Sequence, residues 1–345
     1  MSATRYLLAV LLLALGSASP LACARETLRV LAWPGYADRD LVKQFEDRYD
    51  ATVEVTFVSS DEILWEKVKS GQGADFDVFA VNTAELTRYI DQGLSIPLDL
   101  SHIPNTRHQL PRFSNLQSIP GITREGRVYA IPYTYSAMGL IYDRKQVKKP
   151  PTSMAAMWDP RLKGRVLAYD GSSQNFSMVA LSLGIKTPFQ LKEKDFRRVA
   201  KRLVALRANV LTFYTLPEES IALFRDNSIA LMFANYGTQQ VDQLRKAGAD
   251  IGYVIPQEGA LAWLDCWTIT RGVRNKRLAE DWINYTLEKP FSDALTQRQG
   301  LANTIEPSPS ADKSDKIIWL EPVEDFKMRA ELWTRILSGD RAGKF

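Results

Sequence analysis

The residues best suited to chemistry in this chain stand at alternate positions of one apolar run, Trp263-Leu264-Asp265-Cys266-Trp267. Successive side chains of a strand point to opposite faces, so this spacing puts Trp263, Asp265 and Trp267 together, with Leu264 and Cys266 behind them. A carboxylate between two indoles in an apolar strand is costly to bury unless a cation pairs with it. Two readings follow from the pattern alone. Asp265 and Trp263 receive a ligand ammonium by charge-assisted hydrogen bonding and cation–π contact, or Asp265 pairs with a structural arginine or caps a turn.

Other chemistries have little to work with. The sequence holds two cysteines and two histidines. Cys266 lies on the strand face behind the carboxylate, and Cys23 belongs to the leader described below. His102 and His108 fall in a polar, proline-containing stretch, which leaves a Cys/His nucleophile or a histidine metal site almost nothing to be built from. There is no GxxxxGK(S/T) phosphate loop, internal repeat or low-complexity tract. Lys and Arg number 44 against 40 Asp and Glu, scattered through helical patterns, which gives no basic stripe for nucleic acid. The expectation is a binding protein with no catalytic residues, metal or cofactor.

Residues 1–24 read as an export signal, with Arg5 as a positive start, an apolar stretch at 7–15 and Ala22-Cys23-Ala24 as a small-residue cleavage site. Acylation of Cys23 is the alternative, against which Pro20 stands where such sites usually carry leucine. No later run approaches the ~20 apolar residues of a membrane span, so the expected product is exported and not membrane-inserted. What remains is longer than one core usually supports, and two domains are expected. With a single thiol left, packing alone must hold them.

The elements that must position the site follow from periodicity. Strand-like runs at 27–33, 52–58 and 75–81 alternate with helical stripes, the first marked by Leu41, Phe45 and Tyr49 behind Asp38, the second bounded by Ser60 and Gly71. This alternation specifies a mostly parallel sheet with helices on both faces, and such sheets bind ligands outside the carboxyl ends of their strands. Trp33, Tyr36, Asn82 and Thr83 stand at those ends. A second series of strands and helices occupies 163–254, with Asn235 and Tyr236 closing the strand run that starts at 229. Pro132 splits 126–147 into two strand runs, as expected of a chain leaving one sheet for another, and the helical pattern at 321–337 is expected to return to the second unit.

The segment Pro256-Gln257-Glu258-Gly259, followed by Trp263 and Asp265, resembles the signature of the periplasmic spermidine/putrescine-binding proteins, the substrate receptors of polyamine ABC transporters. The aromatic turn at 33–36, the Phe76-Asp77-Val78 strand with Asn82 and Thr83 after it, and Tyr129-Ala130-Ile131-Pro132-Tyr133 resemble the same family. The resemblance implies a two-lobed α/β fold, the type II periplasmic-binding-protein fold, with residues 25–137 and 265–308 in one lobe and 138–264 and 309–345 in the other. Two crossings form the hinge, and the ligand sits in the cleft between the lobes. It further implies Trp263 and Asp265 on a ligand amine, Tyr135 at the hinge near the cleft, ABC permease subunits as membrane partners, a periplasmic location and a monomer. A sensor presenting the same ligand to a membrane signalling protein would use the same pocket, whereas an enzyme on this scaffold would need groups the sequence lacks.

The chain departs from that family at the turn 170–176. Where the family keeps acidic residues, alignment on Phe176 puts Gly171 and Gln174, with Asp170 one position early. Ala234 replaces an aromatic, for which Tyr236 is a nearby substitute, and Leu301 replaces a tyrosine. Ser172, Ser173 and Gln174 open a helix whose free N–H groups and dipole favour an anion, a serine cap being the plainer reading. The expected ligand is therefore a short ω-amino acid such as 4-aminobutyrate or 5-aminovalerate, with putrescine or spermidine as the alternative.

Overall fold

The last five residues of β1 (Glu26–Ala32) are buried, because parallel neighbours cover both edges: β2 (Ala51–Phe57) and β3 (Val78–Asn82). The helices between them are α1 (Arg39–Tyr49), α2 (Asp61–Ser70) and α3 (Thr83–Asp91). α1 turns Leu41, Val42 and Phe45 inward. Ser60 caps α2 by accepting from the Ile63 amide, and Asn82 caps α3 by accepting from Glu85. This computed structural model describes residues 25–308 and 316–345. The expected leader at 1–24, with Cys23, lies outside the described residues.

After β4 (Ser95–Ile96) and the small hairpin of β5 (Thr123–Arg124) and β6 (Arg127–Val128), β7 (Ala130–Ala137) enters the first sheet. The chain then changes sheets over two residues, Met138 and Gly139, to begin β8 (Leu140–Asp143). The second sheet runs β10-β9-β11-β8-β12, comprising β8, β9 (Val166–Tyr169), β10 (Thr212–Tyr214), β11 (Leu231–Phe233) and β12 (Ile251–Val254). Its helices are α4 (Ser172–Ser182), α5 (Glu193–Arg207), α6 (Pro217–Asp226) and α7 (Thr238–Lys246). Residues 255–259 lead back to β13 (Ala260–Thr270), all eleven residues of which are buried. α8 (Lys276–Thr286), α9 (Lys289–Gln299), β14 (Ala302–Asn303), β15 (Ile317–Trp319) and α10 (Phe326–Leu337) complete the chain.

The first sheet has the order β14-β7-β13-β3-β1-β2, with β15 and β4 pairing the two ends of β13. Both sheets are parallel where strand and helix alternate. They turn antiparallel at the strands next to the crossings: β13 runs against β3 and β7, and β8 against β11 and β12. The expectation of mostly parallel sheets missed these strands because a chain returning from the other sheet need not follow a βαβ path.

The expected lobe boundary between Leu264 and Asp265 falls inside β13, which pairs with β7 from Ala262 onward, so this passage between sheets lies at 255–259. To the two expected crossings the C-terminal segment adds a third. β15 still pairs with β13, and α10 then packs on α4 and α5 of the second sheet. The first two crossings touch closely at Gly139, where a Cβ would come within 2.5 Å of the Val254 carbonyl.

A buried ion pair fixes β1 against β3. Asp77 accepts from the Arg29 amide at 2.8 Å, from Arg29 Nε at 2.9 Å and Nη2 at 2.7 Å, and from the Arg274 amide at 2.9 Å. Burial works against its charge, but these bonds outweigh it and hold the carboxyl below its ordinary range. Asp77→Ala leaves the Arg29 guanidinium buried without its countercharge, and a loss of ~3–5 kcal/mol in unfolding free energy is expected. Urea denaturation checks this, and a loss under ~1 kcal/mol would mean that Arg29 is solvated.

Candidate functional site

The carboxyl ends of β1 and β3 and the middle of β13 face those of β9 and β11 across a narrow cavity of about 40 Å³. Small-molecule sites typically measure ~300–1,000 Å³, so the two walls stand too close here to hold more than water. Trp33, Tyr36, Asp61, Asn82, Trp263 and Asp265 line it from the first sheet; Tyr169, Gln174, Asn235, Tyr236 and Gln239 line it from the second. The walls also touch. Trp263 Nε1 donates to the Asn235 carbonyl at 2.9 Å, Gln174 Nε2 to Asp61 Oδ2 at 2.8 Å, and the Tyr169 hydroxyl to the Ser59 carbonyl at 3.1 Å.

Asp265 is set by a chain of packing that starts at a proline. β13 pairs Asp265 with Thr134 but Cys266 with Pro132, so Tyr133 is an extra residue on β7. Pro132 has no N–H for the ladder, and the pairing slips into a bulge there. Tyr133 packs edge-on to Tyr36 at 5.4 Å and its hydroxyl donates to the Tyr36 carbonyl at 3.2 Å. Tyr36 in turn donates to Asp265 Oδ2 at 2.6 Å. Burial pushes the Asp265 carboxyl up to about 8; the Tyr36 hydroxyl pulls it down and the charge of Asp61 pushes it further up. Among the described residues no lysine or arginine lines the cavity. The structural-arginine reading of Asp265 therefore finds no partner.

Trp267 does not share the cavity. It is fully buried behind Tyr36 and Tyr133, at 6.4 and 5.2 Å between rings, and packs on Trp282. The carboxylate thus has an indole on one side and a phenol on the other. Cys266 is buried, as its strand face requires, and burial pushes its thiol well up.

Of the residues expected at the site, Trp33, Tyr36, Asn82, Gln174, Tyr236, Trp263 and Asp265 come together, and five do not. Thr83 only opens α3. Tyr135 pairs with Leu264, so it shares the face behind Trp263, where it meets Phe113, Trp319 and the Arg112 guanidinium. Asp170 accepts from Trp333 Nε1 at 2.7 Å. The anion expected at the start of α4 is supplied by the protein itself. Ser172 Oγ donates to Glu62 at 2.9 Å and Gln174 to Asp61, both carboxylates belonging to the first turn of α2. The carbonyl of Ser173 accepts from Arg329, and its hydroxyl is buried away from the cavity lining.

The sequence reading missed Asp61, Tyr169 and Gln239 and left Asn235 unassigned. Ser60-Asp61-Glu62 reads as a helix cap with acidic residues in its first turn, so the pattern hides the second role of Asp61. Its carboxyl accepts from Asn82 Nδ2 at 3.1 Å as well as from Gln174. Burial and the neighbouring Glu62 charge push it up to about 6, against the Gln174 bond. Gly171 makes room for this wall, since a Cβ there would lie 2.4 Å from the Tyr169 ring and 2.6 Å from Gln174.

Residues 40–318 match the bacterial extracellular solute-binding proteins. The chain belongs to that family. It is 26% identical over 355 residues to the putrescine-binding periplasmic protein PotF of Escherichia coli K12, covering 94% of both chains. With the spermidine/putrescine-binding periplasmic protein 1 of Haemophilus influenzae it shares 25% identity over 290 residues, 81% of this chain and 76% of the relative. A putative spermidine/putrescine ABC transporter structure from Listeria monocytogenes superposes with a TM-score of 0.81 at 22% identity, covering 90% of this chain and 99% of that one. The relatives bear out the resemblance seen in the sequence and the type II binding-protein fold. Among the described residues no helix is long and apolar enough to cross a membrane.

The buried carboxyl makes stability depend on pH. Its folded-state value is raised from 3.8 to about 8, so the unfolded chain gives up this proton first and the empty folded form weakens as pH rises through that window. Ligand-free Asp265→Asn is therefore expected to melt close to wild type near pH 4, then above it by a margin that grows and levels off beyond about pH 8. Scanning calorimetry across pH checks this. A gap of constant size at every pH would trace the difference to packing.

Proposed function

We propose that this chain is an exported solute-binding protein that captures an amine-bearing small molecule, a polyamine or an ω-amino acid, and delivers it to the permease subunits of an ABC importer. The observation that carries this reading is the Asp265 carboxylate, 6% exposed in a cavity whose described lining holds no cation. An ammonium there gains the carboxylate as countercharge and the Trp263 and Trp33 rings as walls. The likeness to periplasmic putrescine-binding relatives supports the same ligand class, a periplasmic location and a binding role without catalysis.

The two sheets serve as lobes, and the passages at Met138–Gly139, at 255–259 and after Trp319 act together as the hinge. The closed contacts between Trp263 and Asn235 and between Gln174 and Asp61 are then the seam that opens for entry. Asp265→Asn removes one partner of a buried charge pair, so binding is expected to weaken by ~2–5 kcal/mol. Isothermal titration calorimetry with putrescine, spermidine and 4-aminobutyrate measures this. An unchanged dissociation constant would make Asp265 a structural residue.

A further inference from the structure

With room for no more than water between its walls, the cavity admits a ligand only after the two sheets part. Any contact broken by that parting weighs on binding, whether or not it touches the ligand. One such contact lies outside the cavity lining. The Arg88 guanidinium on α3 sits over the Phe326 ring of α10, 4.1 Å from its centroid, and over the Trp65 ring of α2, at 4.3 Å. Two rings, one carried with each sheet, thus share a single cation.

Both sides of the contact are firmly mounted. Arg88 pairs with Glu85 at 2.7 Å and donates to the Asp61 carbonyl at 3.2 Å. Phe326 is the first residue of α10, held by Asp325, whose side chain accepts from the Met328 amide at 2.8 Å. On the same helix the fully buried Arg329 guanidinium donates to the Ser173 and Pro188 carbonyls, to Ser177 Oγ and to both oxygens of Glu324. Trp333 adds its bond to Asp170. These bonds tie α10 to α4, so Phe326 moves with the second sheet. Between α10 and the pair α2 and α3 lies a groove of about 590 Å³ with Arg88 and Phe326 in its lining, so the ring meets the cation locally and not within a packed face.

We infer that Phe326 is an affinity-determining residue that the ligand never touches: seated on Arg88 it latches the cleft shut from outside, and it lets go when the lobes part. This rests on the reading of the two sheets as hinged lobes and is independent of the ligand's chemistry. A latch that exists only in the closed form raises the closed fraction, and the affinity for every ligand rises by the same factor.

The test compares wild type, Phe326→Leu and Phe326→Tyr as full chains freed of carried-over ligand, by calorimetric titration with putrescine and with spermidine and by small-angle X-ray scattering without ligand. Leucine keeps apolar bulk without a ring, and tyrosine keeps the ring. Where ligand-free wild type is mostly open, Phe326→Leu is expected to weaken both ligands by one common factor of about 2- to 30-fold, the worth of a cation–π contact. Where it is mostly closed, the same variant raises the ligand-free radius of gyration instead. Phe326→Tyr should match wild type in both. Phe326→Leu unchanged in both measurements overturns the inference, as does an equal loss in Phe326→Tyr or a loss that differs between the two ligands. A steep drop in the ligand-free melting midpoint of Phe326→Leu overturns it too, by assigning the ring to the core. If neither ligand binds wild type, the amine reading of Asp265 falls alone, and the scattering comparison decides the latch: an unchanged radius of gyration in Phe326→Leu removes it.

Discussion

An ionised carboxylate shut away from water needs a countercharge, and the fold supplies Asp265 with none. It offers one hydroxyl, from Tyr36, and burial pushes the carboxyl up to about 8, so that the empty site keeps its proton near neutral pH and an entering cation would let it ionise. Much of the surrounding architecture can be read as support for that single group. Pro132 breaks the ladder, Tyr133 bulges out, Tyr36 is seated against it, and the Trp267 and Trp282 rings behind them make the wall stiff. A site built on packed strands holds its geometry more tightly than one built on loops.

The amino-acid pattern made much of this legible. Strand alternation put Trp263 and Asp265 on one face, and the rule that ligands meet the carboxyl ends of strands picked out Trp33, Tyr36, Asn82 and Tyr236. What it could not supply was register. Tyr135 was expected near the cleft, but pairing opposite Leu264 fixes it behind the sheet. Trp267 has the right parity for the cavity and is excluded by rings from residues 133 and 36, a contact over long sequence separation. The antiparallel course of β13 likewise depends on which sheet receives the returning chain.

The second wall shows a different kind of illegibility, in which a correct principle met an unforeseen partner. The start of α4 does attract anions, and the expectation of negative charge beside Ser172 and Gln174 holds physically. The anions are Glu62 and Asp61, whose own helix start welcomes them equally. Two helix N-termini thus face each other with two carboxylates between them. Each carboxylate looked like ordinary first-turn composition when its helix was considered alone.

On the proposed reading, the same arrangement accounts for walls that, among the described residues, carry aromatic rings and carboxylates but no lysine or arginine. The bonds across the seam, such as Trp263 to the Asn235 carbonyl, are each worth only ~0.5–1.5 kcal/mol net. Against them stands the burial of Asp265 and Asp61, which the bonds from Tyr36, Asn82 and Gln174 and the charge of Arg88 offset only in part, since both carboxyls remain pushed up. A fixed arginine in the lining would satisfy the carboxylates permanently and let the cleft shut whether or not anything had entered. If, as proposed, the cation is left to the ligand, the closed form gains its missing interaction only when occupied, because a ligand shifts a conformational equilibrium only by its differential affinity for the two states. On that reading the half-compensated carboxylates do two things with one defect: they select a cationic guest, and they make closure depend on it.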